Sequence, residues 1–175
     1  MTRYPLHRFD DDDNEKCFSI VRSSSLSNAL SKTIFEIKND FPDLTPEDLC
    51  IIFLDDESYI YDYIPKVARL LYQSCEWETN IAIETKKKEK GRVFVTNRNN
   101  AKGLEFPIVI CISNKLKRSI SYRNTLYTML TRSFIRSYLI VSEHDNGISN
   151  EMVRVCHKSV THPFLFFAFS QIRNL

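Results

Sequence analysis

Residues 92–142 combine groups that could handle phosphate with elements that could hold them still. Two apolar runs, residues 93–95 and 108–112, flank a polar loop around Lys102-Gly103-Leu104-Glu105; a basic segment and a third apolar run, residues 138–141, follow. Runs of this length, rich in Val and Ile, read as buried strands of a parallel sheet. Polar loops at the ends of such strands are where these sheets bind ligands. Gly103 allows the backbone to turn with φ > 0 or to approach a ligand closely. Before the loop, Thr96, Asn97, Arg98 and Asn99 offer hydroxyl, amide and guanidinium groups, all of which bind phosphate. The same Asn-rich run also suits a plain turn. Charge is unevenly spread. Residues 1–83 carry 8 basic and 16 acidic side chains, and residues 84–138 carry 13 basic and 3 acidic. A polyanion, nucleotide or nucleic acid, is the natural partner of such a segment; a solvated basic surface is the plainer alternative.

Several chemistries are excluded. A phosphate-binding Walker A loop, G-x-x-x-x-G-K-[ST], needs two glycines five apart. The three glycines, Gly91, Gly103 and Gly147, provide no such pair. The chain is then at most one half of a P-loop ATPase. Five widely spaced cysteines without C-x-x-C read as buried reduced thiols in a cytoplasmic protein. The four histidines form no zinc pattern with them. No apolar run approaches the roughly 20 residues that cross a bilayer. Asp55-Asp56 after an apolar run is similar to the acidic pair of a response-regulator receiver, but the later strands end without the Asp such a domain phosphorylates.

AKGLEFPIVI at residues 101–110 resembles motif V of the UvrD/Rep-like helicases of superfamily 1, and RNTLYTMLTRS at residues 123–133 resembles their motif VI. Lys102, Gly103, Leu104, Glu105, Phe106 and Val109 match the first; Arg123, Leu126, Tyr127, Leu130, Thr131 and Arg132 match the second. The resemblance implies an α/β fold, a three-layer RecA-like domain with a mainly parallel sheet, the second of the two such domains in those enzymes. It implies that Arg132 is an arginine finger and that Glu105 meets the nucleotide ribose. Gly103, Lys102 and Arg123 would also belong to the nucleotide side. It implies ATP as the nucleotide, with Mg2+ held by an upstream RecA-like domain carrying Walker A and B. Thr96, Asn97, Arg98 and Asn99 would lie on the path of single-stranded DNA. The family commonly has a Thr and a His there; Asn99 stands at the His position and Thr96 one residue out of register. The motif IV strand usually ends in arginine, whereas Phe53-Leu54-Asp55-Asp56 offers none.

The elements that would position these groups follow from periodicity. Strands are expected at residues 17–21, 50–54, 80–84, 92–96, 107–112 and 137–142. Helices are expected at 25–40, opened by a serine run, and after residues 55–58. The second carries a stripe of Ile60, Tyr63, Ile64, Val67 and Leu71, with Pro65 kinking or restarting it. Further helices are expected at 119–135, with Ile120, Leu126, Leu130 and Ile135 among its core, and at 148–157. Residues 1–16 read as a linker or the tail of a preceding segment, 17–160 as the domain, and 161–175 as an apolar segment that packs or docks. The roughly 20 residues between Leu71 and Arg92 leave no room for the insertion domain of many family members. The resulting function is the C-terminal motor domain of an ATP-dependent DNA helicase or translocase. The alternatives are a non-catalytic nucleic-acid- or nucleotide-binding RecA-like module, and an interaction domain using the apolar C-terminus.

Overall fold

The computed structural model describes residues 18–55 and 59–141. The linker 1–16, the helix-opening residues 56–58, the helix expected at 148–157 and the apolar stretch 164–169 lie outside them. Six strands form one sheet: β1 (Phe18–Arg22), β2 (Leu49–Phe53), β3 (Thr79–Ala82), β4 (Val93–Asn97), β5 (Phe106–Ser113) and β6 (Ser133–Val141). Their order is β1-β6-β5-β2-β4-β3 and every pairing is parallel. Central strands β2 and β5 are buried along their whole length, which is why they read as unbroken apolar runs rather than alternating ones.

Helices α1 (Leu26–Asp40) and α2 (Tyr59–Cys75) cover one face. Ala29, Leu30, Ile34 and Ile37 of α1 and Ile64, Val67 and Leu71 of α2 pack there against Ile51, Val95, Ile110 and Tyr138. Ser25 caps α1 by accepting the Asn28 N–H at 3.4 Å, a contact of about 1 kcal/mol. Pro65 neither ends nor restarts α2, which is continuous through it. The other face is covered by α3 (Ile120–Leu130) and two loop crossovers. There Tyr122, Leu126, Met129 and Leu130 pack with Ala101 and Phe106 on Cys50, Ile52, Val109 and Leu139. The chain thus moves outward across one face and returns across the other, as right-handed crossovers require.

The third helix departs from expectation. It stops at Leu130, and residues 133–135 open β6 instead. Ile120 is 62% exposed and Ile135 is a half-buried strand residue, so neither belongs to a helical core. Ser133 explains the switch: its hydroxyl donates to Pro107 O at 2.8 Å, tying the segment to β5. On the opposite face Arg136 locks β6 to the end of α1. Its guanidinium donates to the Asp40 carboxylate and to the Tyr138 hydroxyl at 3.2 Å, and lies over the Phe41 ring.

Candidate functional site

All strands run the same way, so the sheet has an amino edge and a carboxyl edge. The expected site residues divide between them. Phe53 pairs with both Asn97 and Ile112, which sets the ends of β4 and β5 level. Phe106 lies six residues earlier on β5, roughly 20 Å away at about 3.3 Å per residue.

At the amino edge, Glu105 precedes β5 and Arg132 precedes β6. Phe106 and Ser133 are paired in register, and the Phe106 N–H donates to Arg132 O at 2.9 Å. Glu105 and Arg132 are therefore neighbours on adjacent strand openings. Arg132 is half-buried, and its Nε–H donates to Thr128 O at 3.1 Å, back on the last turn of α3. That bond fixes the plane of a guanidinium, the fork that binds phosphate oxygens in pairs. Glu105, Lys102 and Gly103 are exposed. Gly103 has φ +83°, and a Cβ at that position would meet nothing within 4 Å, so backbone handedness alone calls for glycine there.

Two residues of this edge gain a role that the sequence does not single out. Lys88 donates to Glu105 O at 3.3 Å and its ammonium lies 3.7 Å from the Phe106 ring centroid. Lys86 donates to Lys102 O at 3.3 Å. The 83–92 loop is thus strapped over the Lys102–Glu105 turn. Burial pushes the Lys88 pKa below its ordinary value, opposed by the Cys50 thiol. Taken alone, the basic run reads as a solvated surface; only its length and sign signal otherwise.

At the carboxyl edge, Thr96 is fully buried and its hydroxyl donates to Ala82 O at 2.7 Å. It holds β4 to β3 rather than facing a ligand. Asn97 accepts from the Asn99 and Asn100 N–H groups at 3.0 Å each and donates to Ile83 O at 3.2 Å. Asn99 is exposed and Arg98 half-buried. Arg123 also lies at this edge, in the first turns of α3. Nine residues separate it from Arg132, roughly 13 Å of helix, so the structure does not bring it to Glu105.

Between these loops is a buried polar cluster. Asp55, 4% exposed, accepts the Asn114 N–H at 2.7 Å and the Ser113 hydroxyl at 3.1 Å. Ser113 also bonds the Tyr122 hydroxyl. Burial pushes the Tyr122 phenol well above its ordinary pKa, offset in part by the Ser113 bond. Asp55 is thereby occupied in joining β2 to β5. Among the described residues no group of three His, Cys, Asp or Glu side chains could hold a metal ion.

No curated protein matches the chain. A solved C-terminal domain of a possible DNA helicase from Lactobacillus plantarum WCFS1 is 17% identical, covers 74% of each chain and has a TM-score of 0.48. Residues 92–140 match the family model of the UvrD-like helicase C-terminal domain. That segment contains both edges' candidate residues, Thr96 through Arg132, and over it the chain is similar to the C-terminal domain of UvrD-like helicases.

Proposed function

We propose that the chain is the second motor domain of an ATP-dependent DNA helicase or translocase. In this reading the amino edge faces nucleotide and the carboxyl edge faces single-stranded DNA. The observation that carries it is the pairing of Glu105 with Arg132 on adjacent strand openings, fixed by the Phe106 N–H to Arg132 O bond. An acceptor for ribose hydroxyls and a planar cation for phosphate then lie side by side, with Gly103 turning the loop between strands. Lys102 adds positive charge at the same turn, and Lys86 and Lys88 hold that turn in place. Arg98, Asn97 and Asn99 would meet DNA phosphates, with Thr96 positioning their strand from inside. ATP is the substrate, and an upstream RecA-like domain carrying Walker A and B would supply the remaining phosphate contacts and the Mg2+ ligands.

The test is a pair of ATPase assays. This chain alone is expected to give no turnover above buffer after repurification. Joined to a Walker A-bearing domain, it is expected to give turnover that single-stranded DNA stimulates and that requires Arg132. Turnover by the chain alone would overturn the two-half arrangement. DNA binding without Arg132-dependent turnover in the joined enzyme would leave a binding module instead.

A further inference from the structure

One side of the sheet is apolar and open. Among the described residues β1 pairs with β6 alone, so its other side is a free strand edge. Phe18, Ile20 and Val21 are only half-buried; Phe18 and Ile20 lie on the α3 face and Val21 on the α1/α2 face. Edge strands are normally blunted by a charge, a proline or a covering loop. β3, on the opposite side of the sheet, has such a cover: Asn80 donates to Lys87 O at 3.0 Å and draws the 83–92 loop beside it. β1 carries no charge or proline before Arg22 at its end. Its partner β6 ends at Val141, level with Arg22. The chain therefore leaves the sheet at the carboxyl edge, next to the open strand.

We propose that the apolar run FLFFAF at residues 164–169 docks in parallel along the free edge of β1. The run has the composition of a strand buried on both faces, and Pro163 stands just before it, where a strand tolerates proline. Residues 142–163 exceed the roughly dozen residues that a parallel crossover takes. Handedness decides which face they cross. The two steps toward β3, from β1 to β2 and from β2 to β3, cross on the α1/α2 face, and the step from β5 to β6, away from β3, crosses on the α3 face. A step from β6 past β1 also leads away from β3, so a right-handed crossover runs over the α3 face. Phe18 and Ile20 are the half-buried residues on that face, and the crossing segment would cover them. The docked run itself would close the edge. This assignment stands apart from the nucleotide and DNA readings and needs neither.

The test places a photo-cross-linker in the full chain: Phe166→p-benzoylphenylalanine and, separately, Phe167→p-benzoylphenylalanine. Successive strand residues face opposite sides of a sheet, so the two probes sample both faces, and an aromatic in place of an aromatic keeps the run apolar. After irradiation and trypsin digestion, both probes are expected on the peptide Cys17–Arg22, released by cleavage after Lys16 and Arg22, and within a single chain. Cross-links to the peptides carrying β3 or α2, or none at either position, would overturn the proposal. Cross-links that double the mass would put a second copy's segment on β1 and overturn the intrachain arrangement. Hydrogen exchange supplies a second readout. The β1 amides should be protected in the parent, and Phe166→Lys with Phe167→Lys should speed their exchange by about tenfold or more while β2 and β5 stay unchanged. Unchanged β1 exchange in that folded variant would also overturn the proposal; where β2 and β5 loosen as well, the cross-links decide.

Discussion

Arg132 is positioned by two bonds that do different work. Its carbonyl accepts from Phe106 and places it beside Glu105, while its Nε–H on Thr128 O orients the guanidinium. A finger that meets phosphate as charge redistributes acts on turnover more than on binding. In the joined enzyme Arg132→Ala is expected to lower kcat by about 10²–10⁴, below the full range for such fingers because neighbouring basic groups remain. Arg132→Lys should rescue little, since an ammonium lacks the planar fork. Glu105→Gln should raise the KM for ATP with little change in kcat, a ribose contact being equal in ground and transition states. Steady-state kinetics with single-stranded DNA in excess separate these outcomes; a folded Arg132→Ala enzyme within about twofold of the parent, well under 1 kcal/mol of barrier, would remove Arg132 from this role. Gly103→Ala places a Cβ in open space at φ +83°, so its cost is backbone strain alone, about 1–2 kcal/mol in urea unfolding. Arg132, Glu105 and Gly103 are legible in the sequence because each belongs to a local motif. Lys88 is not, because its contact with Glu105 spans 17 positions of sequence and depends on how one loop crosses another.

Among the elements, β2 and β5 are the most legible, because full burial leaves no polar residue inside them. The α3–β6 junction is not. Leu126, Leu130 and Ile135 continue a nearly helical spacing, and only the pairing of Ser133 with β5 ends it. The direction of α3 also decides which edge Arg123 occupies, and spacing alone cannot supply that direction without the strand order. Asp55 shows the same limit. From sequence it suggests a magnesium ligand or the place of a missing arginine; in the fold it ties the carboxyl ends of β2 and β5. Asp55→Ala would strip an acceptor from the Ser113 hydroxyl and the Asn114 N–H. A cost of about 2–4 kcal/mol in urea unfolding is expected from unpairing buried polar groups. Asp55→Asn keeps an acceptor for Asn114 and should cost less. If Asp55→Ala is as stable as the parent, the cluster does not hold the two strands.

Across the whole molecule, burial gives the fold a defined weakness to alkali. Cys50 and Cys111 lie on the adjacent central strands β2 and β5, and burial pushes both thiols above their ordinary 9.0. Tyr122 on one face and Tyr138 on the other are likewise raised by burial above 10.0. The sign follows from which state ionises first. Below pH 9 these groups are neutral in folded and unfolded chains alike, and their contribution to stability is fully present. As pH rises past 9 the unfolded thiols ionise more readily than the folded ones, so stability falls, by at most about 1.4 kcal/mol per group for each pH unit. The two thiols together set an upper limit of about 3 kcal/mol per unit, and the raised phenols add to the fall above pH 10. Lys88, depressed by burial, works in the opposite direction but is one group against these four and the partly buried Cys75 thiol, which burial also raises. The expected result is a stability that declines as pH passes 9 and declines more steeply above 10. Urea titrations at stepped pH provide the check. Replacing both thiols, Cys50→Ala with Cys111→Ala, lowers the starting stability by opening small cavities but should abolish most of the slope between about pH 9 and 10, where the phenols are still neutral. A slope that survives the double replacement would mean that the alkaline limit lies outside the core that β2 and β5 share.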